Sequence, residues 1–393
     1  MSTGLVPGIQ ALAGDMAAWR HDIHAHPEIA FEEMRTAALV ARLLTDFGCV
    51  VHTGLATTGV VGVLKTGDGP TIALRADMDA LNVHEQTGLA YASTHDGKMH
   101  ACGHDGHTAM LLGAAKYLCQ TRDFTGTVVF IFQPAEEGEG GAKMMVEEGL
   151  FRRFPVDAVY GLHNWPGIDV GTFAVKAGPV MAAFDSFNAT ISGHGAHGGM
   201  PHLGVDPLVV AAQIITAWQS ISSRMLDPLD AAVISVTQIH AGDTYNVIPD
   251  TVELKGALRS FDAHVRDRAW THMETLGQSI AKGYGAMFAL ERQNAYPATV
   301  NTAQEAENAA LAAMQVAGEG NVLRTQPPSM GAEDFAYMLE DRPGCYAWMG
   351  NGPGVSGCTL HNPQYDFNDQ ALVYGASYWV RLVERQLPLY NEL

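Results

Sequence analysis

Short apolar runs bounded by glycine and proline set the rhythm of this chain. Residues 60–64, 71–76, 128–132, 158–161 and 345–349 form such runs, and their length and boundaries predict buried strands. Around them, apolar positions recur with helical spacing over 11–20, 31–47, 108–118, 140–148, 302–316, 333–339 and 370–385. Strands alternating with helices predict an α/β unit whose sheet is covered by helices. The stretch 184–296 breaks the rhythm. It reads as a strand (184–192), a helix (206–223), two strands (232–240 and 251–261), a long helix (263–284) and a last strand (287–294). That order, βαββαβ, is the ferredoxin-like arrangement. It predicts an inserted domain at 184–296, with 1–183 and 297–393 forming the α/β domain in two parts.

Length and charge narrow the picture. A chain of 393 residues is too long for one ordinary core and suits two domains. The 42 acidic against 23 basic residues leave a net charge of −19, which repels phosphate backbones and anionic lipid. Neither nucleic acid nor a membrane surface is an expected partner. No apolar run approaches the ~18 residues of a membrane helix. The N-terminus has no basic region followed by an apolar run, so no signal peptide is expected. Cys49, Cys102, Cys119, Cys345 and Cys358 are an odd, scattered set. They read as free thiols in a reducing compartment, with the cytoplasm as the expected location.

Chemistry enters at the strand ends. Run 71–76 leads into Asp77-Met78-Asp79, and run 128–132 into Gln133-Pro134-Ala135-Glu136-Glu137-Gly138. Run 158–161 leads to His163, and run 345–349 to a glycine-rich loop and His361. In α/β sheets the ligand site lies outside the carboxyl ends of the strands. The stretch from Met99 to Thr108 adds His100, Cys102, His104, Asp105 and His107, threaded with glycines. In an extended segment Cys102 and His104 point to the same side, and a thiolate with an imidazole suits zinc, nickel, cobalt or manganese. Alone, a cysteine in a packed loop reads as inert, and adjacent glutamates read as a solvated pair. At a metal site that pair divides the labour: one binds metal and the other takes a proton from water. The run from His21 to Glu28 reads as a structural helix end, and His194, His197 and His202 as residues of a glycine-rich surface loop. Asp105 either pairs with a ligand imidazole or caps a helix.

Five segments in order carry a resemblance: His100 to Thr108, Gln133 to Gly138, Gly161 to Pro166, Asn246 to Pro249 and Met330 to Phe335. With them the chain resembles the aminoacylase–carboxypeptidase family of metallohydrolases, in the branch of hippurate and indole-3-acetyl-amino acid hydrolases. The resemblance implies a zinc-peptidase-like α/β/α catalytic domain with a ferredoxin-like lid and dimerisation domain. It implies two divalent metal ions, of Zn, Mn, Co or Ni, liganded by Cys102, His104, Glu137, His163 and His361, with Glu136 as general base. Asp77 and Asp79 would orient those ligands, and His107 has no ligand role in the pattern. His197 would reach the reacting carbonyl from the lid, as part of the same subunit or of a partner. Asn246 and Arg259 would hold the substrate carboxylate on one rim of the cleft between domains. Asn82 departs from the pattern, since proline often follows the Asp77-Met78-Asp79-Ala80-Leu81 run there.

The expected activity is metal-dependent hydrolysis of N-acyl amino acids by a homodimer. A carboxypeptidase, a dipeptidase or a hydrolytic deaminase would use the same machinery. A non-catalytic metal or ligand binder would not need Glu136.

Overall fold

The apolar runs become neighbours in one sheet. In the computed structural model, which describes residues 4–354 and 357–389, eight strands stand in a defined order. They are Val50–Leu55, Gly59–Lys65, Thr127–Gln133, Thr71–Asp77, Ala158–Trp165, Gly344–Gly350, Phe173–Ala174 and Val322–Leu323. The central four, from Thr127–Gln133 to Gly344–Gly350, run parallel. They are buried almost throughout, which is why they read as continuous apolar runs rather than alternating ones. Val50–Leu55, Phe173–Ala174 and Val322–Leu323 escape the sequence pattern. The first is an edge strand with mixed exposure, and the other two are two residues long.

Helix His104–Thr121 packs against Ala13–Ala25, Met34–Phe47 and Leu372–Gln386, and the last of these also packs on Ala303–Ala317. The inner face of Ala303–Ala317 is Ala306, Ala309, Ala310 and Ala313, small enough for close helix approach. Large side chains such as Leu111, Phe130, Tyr160 and Trp379 fill the core, each contributing roughly 1.5–3 kcal/mol by burial.

Three local expectations change. The polar run after residue 20 does not close the first helix; Ala13–Ala25 continues through His21 and His24, and buries Arg20 and His24. Strand Ala158–Trp165 extends past Gly161, so His163 lies within it. The helix expected at 108–118 begins four residues earlier, at His104.

The chain divides into two compact units. One runs to Val180, resumes over Val300–Pro327 and again from Asp334; the other is Met181–Thr299 with a short return, Pro328–Glu333. The second unit has an antiparallel sheet in the order Ala232–His240, Thr251–Ser260, Ala183–Ser192, Met287–Tyr296. Burial alternates along Ala183–Ser192, as one covered face requires. Helices Pro207–Ser220 and Ala263–Tyr284 supply Val210, Ile214, Trp218 and Met273 to a core shared with Phe187, Ile191 and Leu254. Asp206 and Asp262 cap these helices through their side chains, worth about 1 kcal/mol each. No helix among the described residues is long and apolar enough to cross a membrane.

Candidate metal centre

The Cys102–His104 segment is not extended. Gly103 sits at φ +97° as the residue before the helix, and His104 opens the first turn. A Cβ at Gly103 would lie 2.4 Å from Asn164 Oδ1 and 2.6 Å from the Tyr365 hydroxyl. Glycine thus lets the helix start press against the end of strand Ala158–Trp165. His361 arrives from its loop at φ +65°, its N–H donating to Ala101 O at 2.7 Å.

These turns bring the sequence candidates together. One donor atom each from Cys102, Glu137 and His361 lie within 4.8 Å of one another, as do those of His104, Glu136 and Glu137. Cys102 Sγ is 3.4 Å from His163 Nε2, and His361 Nε2 is 3.2 Å from Glu137 Oε1. The tautomers follow from the partners. His163 Nδ1 donates to Asn164 O at 2.6 Å, and His104 Nδ1 donates to Asp79 O at 3.0 Å. Each imidazole therefore turns its Nε2 toward the cluster. His104 Nε2 is buried without a hydrogen-bond partner, a costly state for a polar atom that a cation relieves. A thiol, imidazole lone pairs and a carboxylate form a donor set that fits a divalent transition metal.

The electrostatics point the same way. Burial alone would lower His104, yet Asp77, Asp79 and Glu137 push it up to about 10. Burial pushes the Cys102 thiol well up, and Glu137, Glu136 and Asp77 add to that. Negative potential thus gathers where the donor atoms meet, and a cation there would ionise the thiol. The Glu137 side of His361 raises that imidazole too, against burial. His163, deep and beside His107, is held well below the usual range, which keeps its lone pair available.

Asp77 and Asp79 lie behind the cluster. Asp79 meets His104 Nδ1 and accepts the Glu137 N–H at 2.9 Å, so one carboxylate touches both neighbours. Asp77 faces His107 Nδ1 at 2.6 Å and accepts from Arg75 at 2.7 Å. His107, on the helix's first turn, is held between Asp77 and Asn164. Asp105 neither caps the helix nor pairs with a ligand. It accepts from Arg20 Nε at 2.7 Å and lies 2.8 Å from His24 Nδ1, in a buried cluster.

Sequence reasoning passed over four residues around this site. Arg75, inside an apolar strand, donates to Gln133, Asp77 and Asp334; an arginine in such a run needs carboxylate partners, and that was its signal. Asp334 accepts the Ala142 N–H at 2.8 Å and gives its own N–H to Glu136 Oε1 at 3.3 Å. Asn164 links His107 to Tyr365. Glu33 is wholly buried, and burial pushes its carboxyl up to about 7.

The remaining candidates belong to the second unit. His197 is exposed in the two-residue strand Ala196–His197, paired with Val247–Ile248. Its Nδ1 accepts the Gly199 N–H at 3.0 Å, so Nε2 carries the proton. Asn246 is exposed beside it, and its carbonyl accepts the Gly198 N–H at 2.8 Å. Arg259 is half-buried, lies 4.6 Å over the Phe184 ring and donates to Met330 O. The single-rim expectation fails within one chain. Asn246 precedes the start of strand Thr251–Ser260 and Arg259 is near its end, so at about 3.3 Å per residue some 26 Å of strand separates those ends.

A parallel-centred α/β sheet that gathers a thiol, imidazoles and paired carboxylates beyond its strand ends defines a metallohydrolase. Residues 73–385 match Peptidase family M20/M25/M40, and the chain belongs to that family. It is a metal-dependent amidohydrolase that acts on a small-molecule amide. Hippurate hydrolase of Campylobacter jejuni is 41% identical over 384 residues, covering 98% of this chain and 99% of its own. An N-acetylcysteine deacetylase of Bacillus subtilis is 41% identical over 366 residues, covering 92% and 94%. The crystal structure of Bacillus subtilis YXEP, described as a dinuclear metal binding peptidase, superposes with a TM-score of 0.83 at 37% identity, covering 95% of this chain and 98% of that one.

Proposed function

We propose that this chain hydrolyses N-acyl amino acids, hippurate-like compounds among them, to a carboxylic acid and a free amino acid. Cys102, His104, Glu137, His163 and His361 hold two divalent cations, with zinc, manganese, cobalt and nickel all suited to that donor set. The carrying observation is the buried His104 Nε2, which has no hydrogen-bond partner and faces Glu137 at 4.0 Å, with Glu136 alongside. Relatives of nearly equal length named for hippurate and N-acetylcysteine support the substrate class.

When bound, the cations supply Lewis-acid polarisation of the scissile carbonyl and acidify water. Glu136 then takes the proton of the attacking water and delivers it to the leaving nitrogen. His197 donates from Nε2 to the oxygen that gains charge. Asn246 and Arg259 bind the substrate carboxylate, the guanidinium donating to it as a fork. The far separation of Asn246 from Arg259 along one strand supports a homodimer through the second unit. In that arrangement the second copy supplies His197 and Asn246 as a pair. The free thiols suit a reducing compartment, the cytoplasm.

Carboxylate recognition is the feature to test. A charge-assisted contact is worth roughly 1.5–3 kcal/mol, or about ten- to a hundredfold in kcat/KM. An N-acyl amino acid should be cleaved faster than its C-terminal amide by that factor, and Arg259→Ala should erase most of the difference. Equal kcat/KM for acid and amide in the wild type would make the enzyme a general amidase instead.

A further inference from the structure

Glu33 sits far from the metal ligands in sequence, immediately before helix Met34–Phe47, with its side chain wholly buried. Both carboxylate oxygens are used. Oε2 accepts the Thr58 hydroxyl at 2.6 Å, and Oε1 accepts the Ala135 N–H at 2.9 Å. Ala135 is the residue before Glu136. It lies at φ +55°, a left-handed conformation rare for a residue with a side chain. Its carbonyl is tied as well, accepting the Gly141 N–H at 2.9 Å. Strain of this kind persists only where the surroundings over-determine it. Here the Glu33 carboxylate fixes one side of the strained peptide and the Gly141 N–H the other. The next side chain, Glu136, takes its direction from that peptide, whereas the Glu137 N–H is held separately by Asp79 at 2.9 Å.

We infer that Glu33 is a positioning residue for hydrolysis: its hydrogen bond to Ala135 holds the loop so that the Glu136 carboxylate meets its substrate in register. The inference rests on Glu136 acting as the base. Glu33 touches neither substrate nor cation in this role. Its loss should therefore lower kcat while leaving KM and bound metal nearly unchanged, because a displacement of about 1 Å in a catalytic group costs up to a hundredfold in rate.

The test compares metal-loaded full-length variants on one N-acyl amino acid, with kcat normalised to bound metal. Glu33→Met fills the space but offers no acceptor, and should lower kcat by about 10- to 100-fold with KM within about threefold of wild type. Glu33→Gln retains a carbonyl for Ala135 and mimics the protonated carboxyl that burial favours, so it should restore kcat to within about threefold. Thr58→Val removes the other hydrogen bond of Glu33, and should destabilise the fold while sparing kcat. If Glu33→Met does not fold, Glu33→Asp serves, since it keeps the charge and shortens the reach; it should lower kcat likewise. Wild-type kcat in the methionine or aspartate variant, failure of glutamine to rescue, or an equal loss in Thr58→Val would each overturn the inference. Glu136→Gln in the same assay separates the two levels. If it retains wild-type kcat, the base assignment falls; if it is inactive while Glu33→Met keeps wild-type kcat, only the role of Glu33 falls.

Discussion

Glu136 and Glu137 are the same side chain one residue apart, and their neighbours set them apart. The Glu137 carboxylate faces His361 and His104, while Glu136 receives the Asp334 N–H. Glu137→Gln should lose bound metal, whereas Glu136→Gln should keep it and lose 10²–10⁴-fold or so in kcat. Metal content by emission spectroscopy beside single-substrate kinetics checks this, and reversed outcomes would exchange the roles. The buried cluster behind the site carries a pH signature. Burial opposes charge on His24, but hydrogen bonds with Asp105 and Glu85 outweigh it and push the imidazole up to about 9. A raised imidazole contributes stability that is complete below about pH 6.5 and is lost as pH rises through 9, here about 3 kcal/mol in all. Denaturant midpoints of the wild type should fall across that window, and those of His24→Gln should fall less; parallel profiles would refute it. Cys102, His104, Glu136, Glu137, His163 and His361 were legible as candidates because donor side chains gather just past apolar runs, while their division into ligands and base came only with the family resemblance. The partners Glu33, Asp105 and Asp334 were not, because a buried carboxylate reveals its use only through residues distant in sequence.

At the scale of elements, the start of helix His104–Thr121 decides where the ligands fall. Gly103→Ala forces a side chain into a left-handed position and against Asn164 and Tyr365. It should cost more than the ~1–2 kcal/mol of the backbone term alone and lower metal content as well. Gly88→Ala is the control: Gly88 has φ +68° but nothing within 4 Å of an added Cβ, so metal content should stay at the wild-type level. Equal metal loss in both variants would remove any special role for the Gly103 contact. The central strands were legible because burial on both faces writes them as apolar runs. The early helix start was not, since His104, Asp105 and His107 are polar residues buried by each other and by Arg20, Asp77 and Asn164. Local hydropathy places such a turn in a loop.

For the whole molecule, the decisive question is which chain supplies His197. Glu136 and His197 fall in different compact units, and the proposed dimer pairs them across subunits. Mixing Glu136→Gln with His197→Ala, each inactive alone, should then restore about a quarter of wild-type activity after subunit exchange, since half the dimers are mixed and each has one intact site. No recovery, with exchange verified by labelled chains, would place His197 in the same subunit as its Glu136. Sequence order foretold the two architectures well, because alternation and helical period are local. It did not foretell the return of Pro328–Glu333 to the second unit, which no local pattern announces. The wide spread of the metal donors also sets a timetable. Strand Gly344–Gly350 lies beside Ala158–Trp165, and His361 follows it, so on the ribosome the earlier donors wait on the order of 10–50 s for the last one at ordinary synthesis rates. Throughout that interval the proposed ligand Cys102 stands without its full partner set, open to thiophilic ions. The proposed centre should therefore carry the ion supplied during synthesis, and the metal content of protein made in media enriched in one ion checks this.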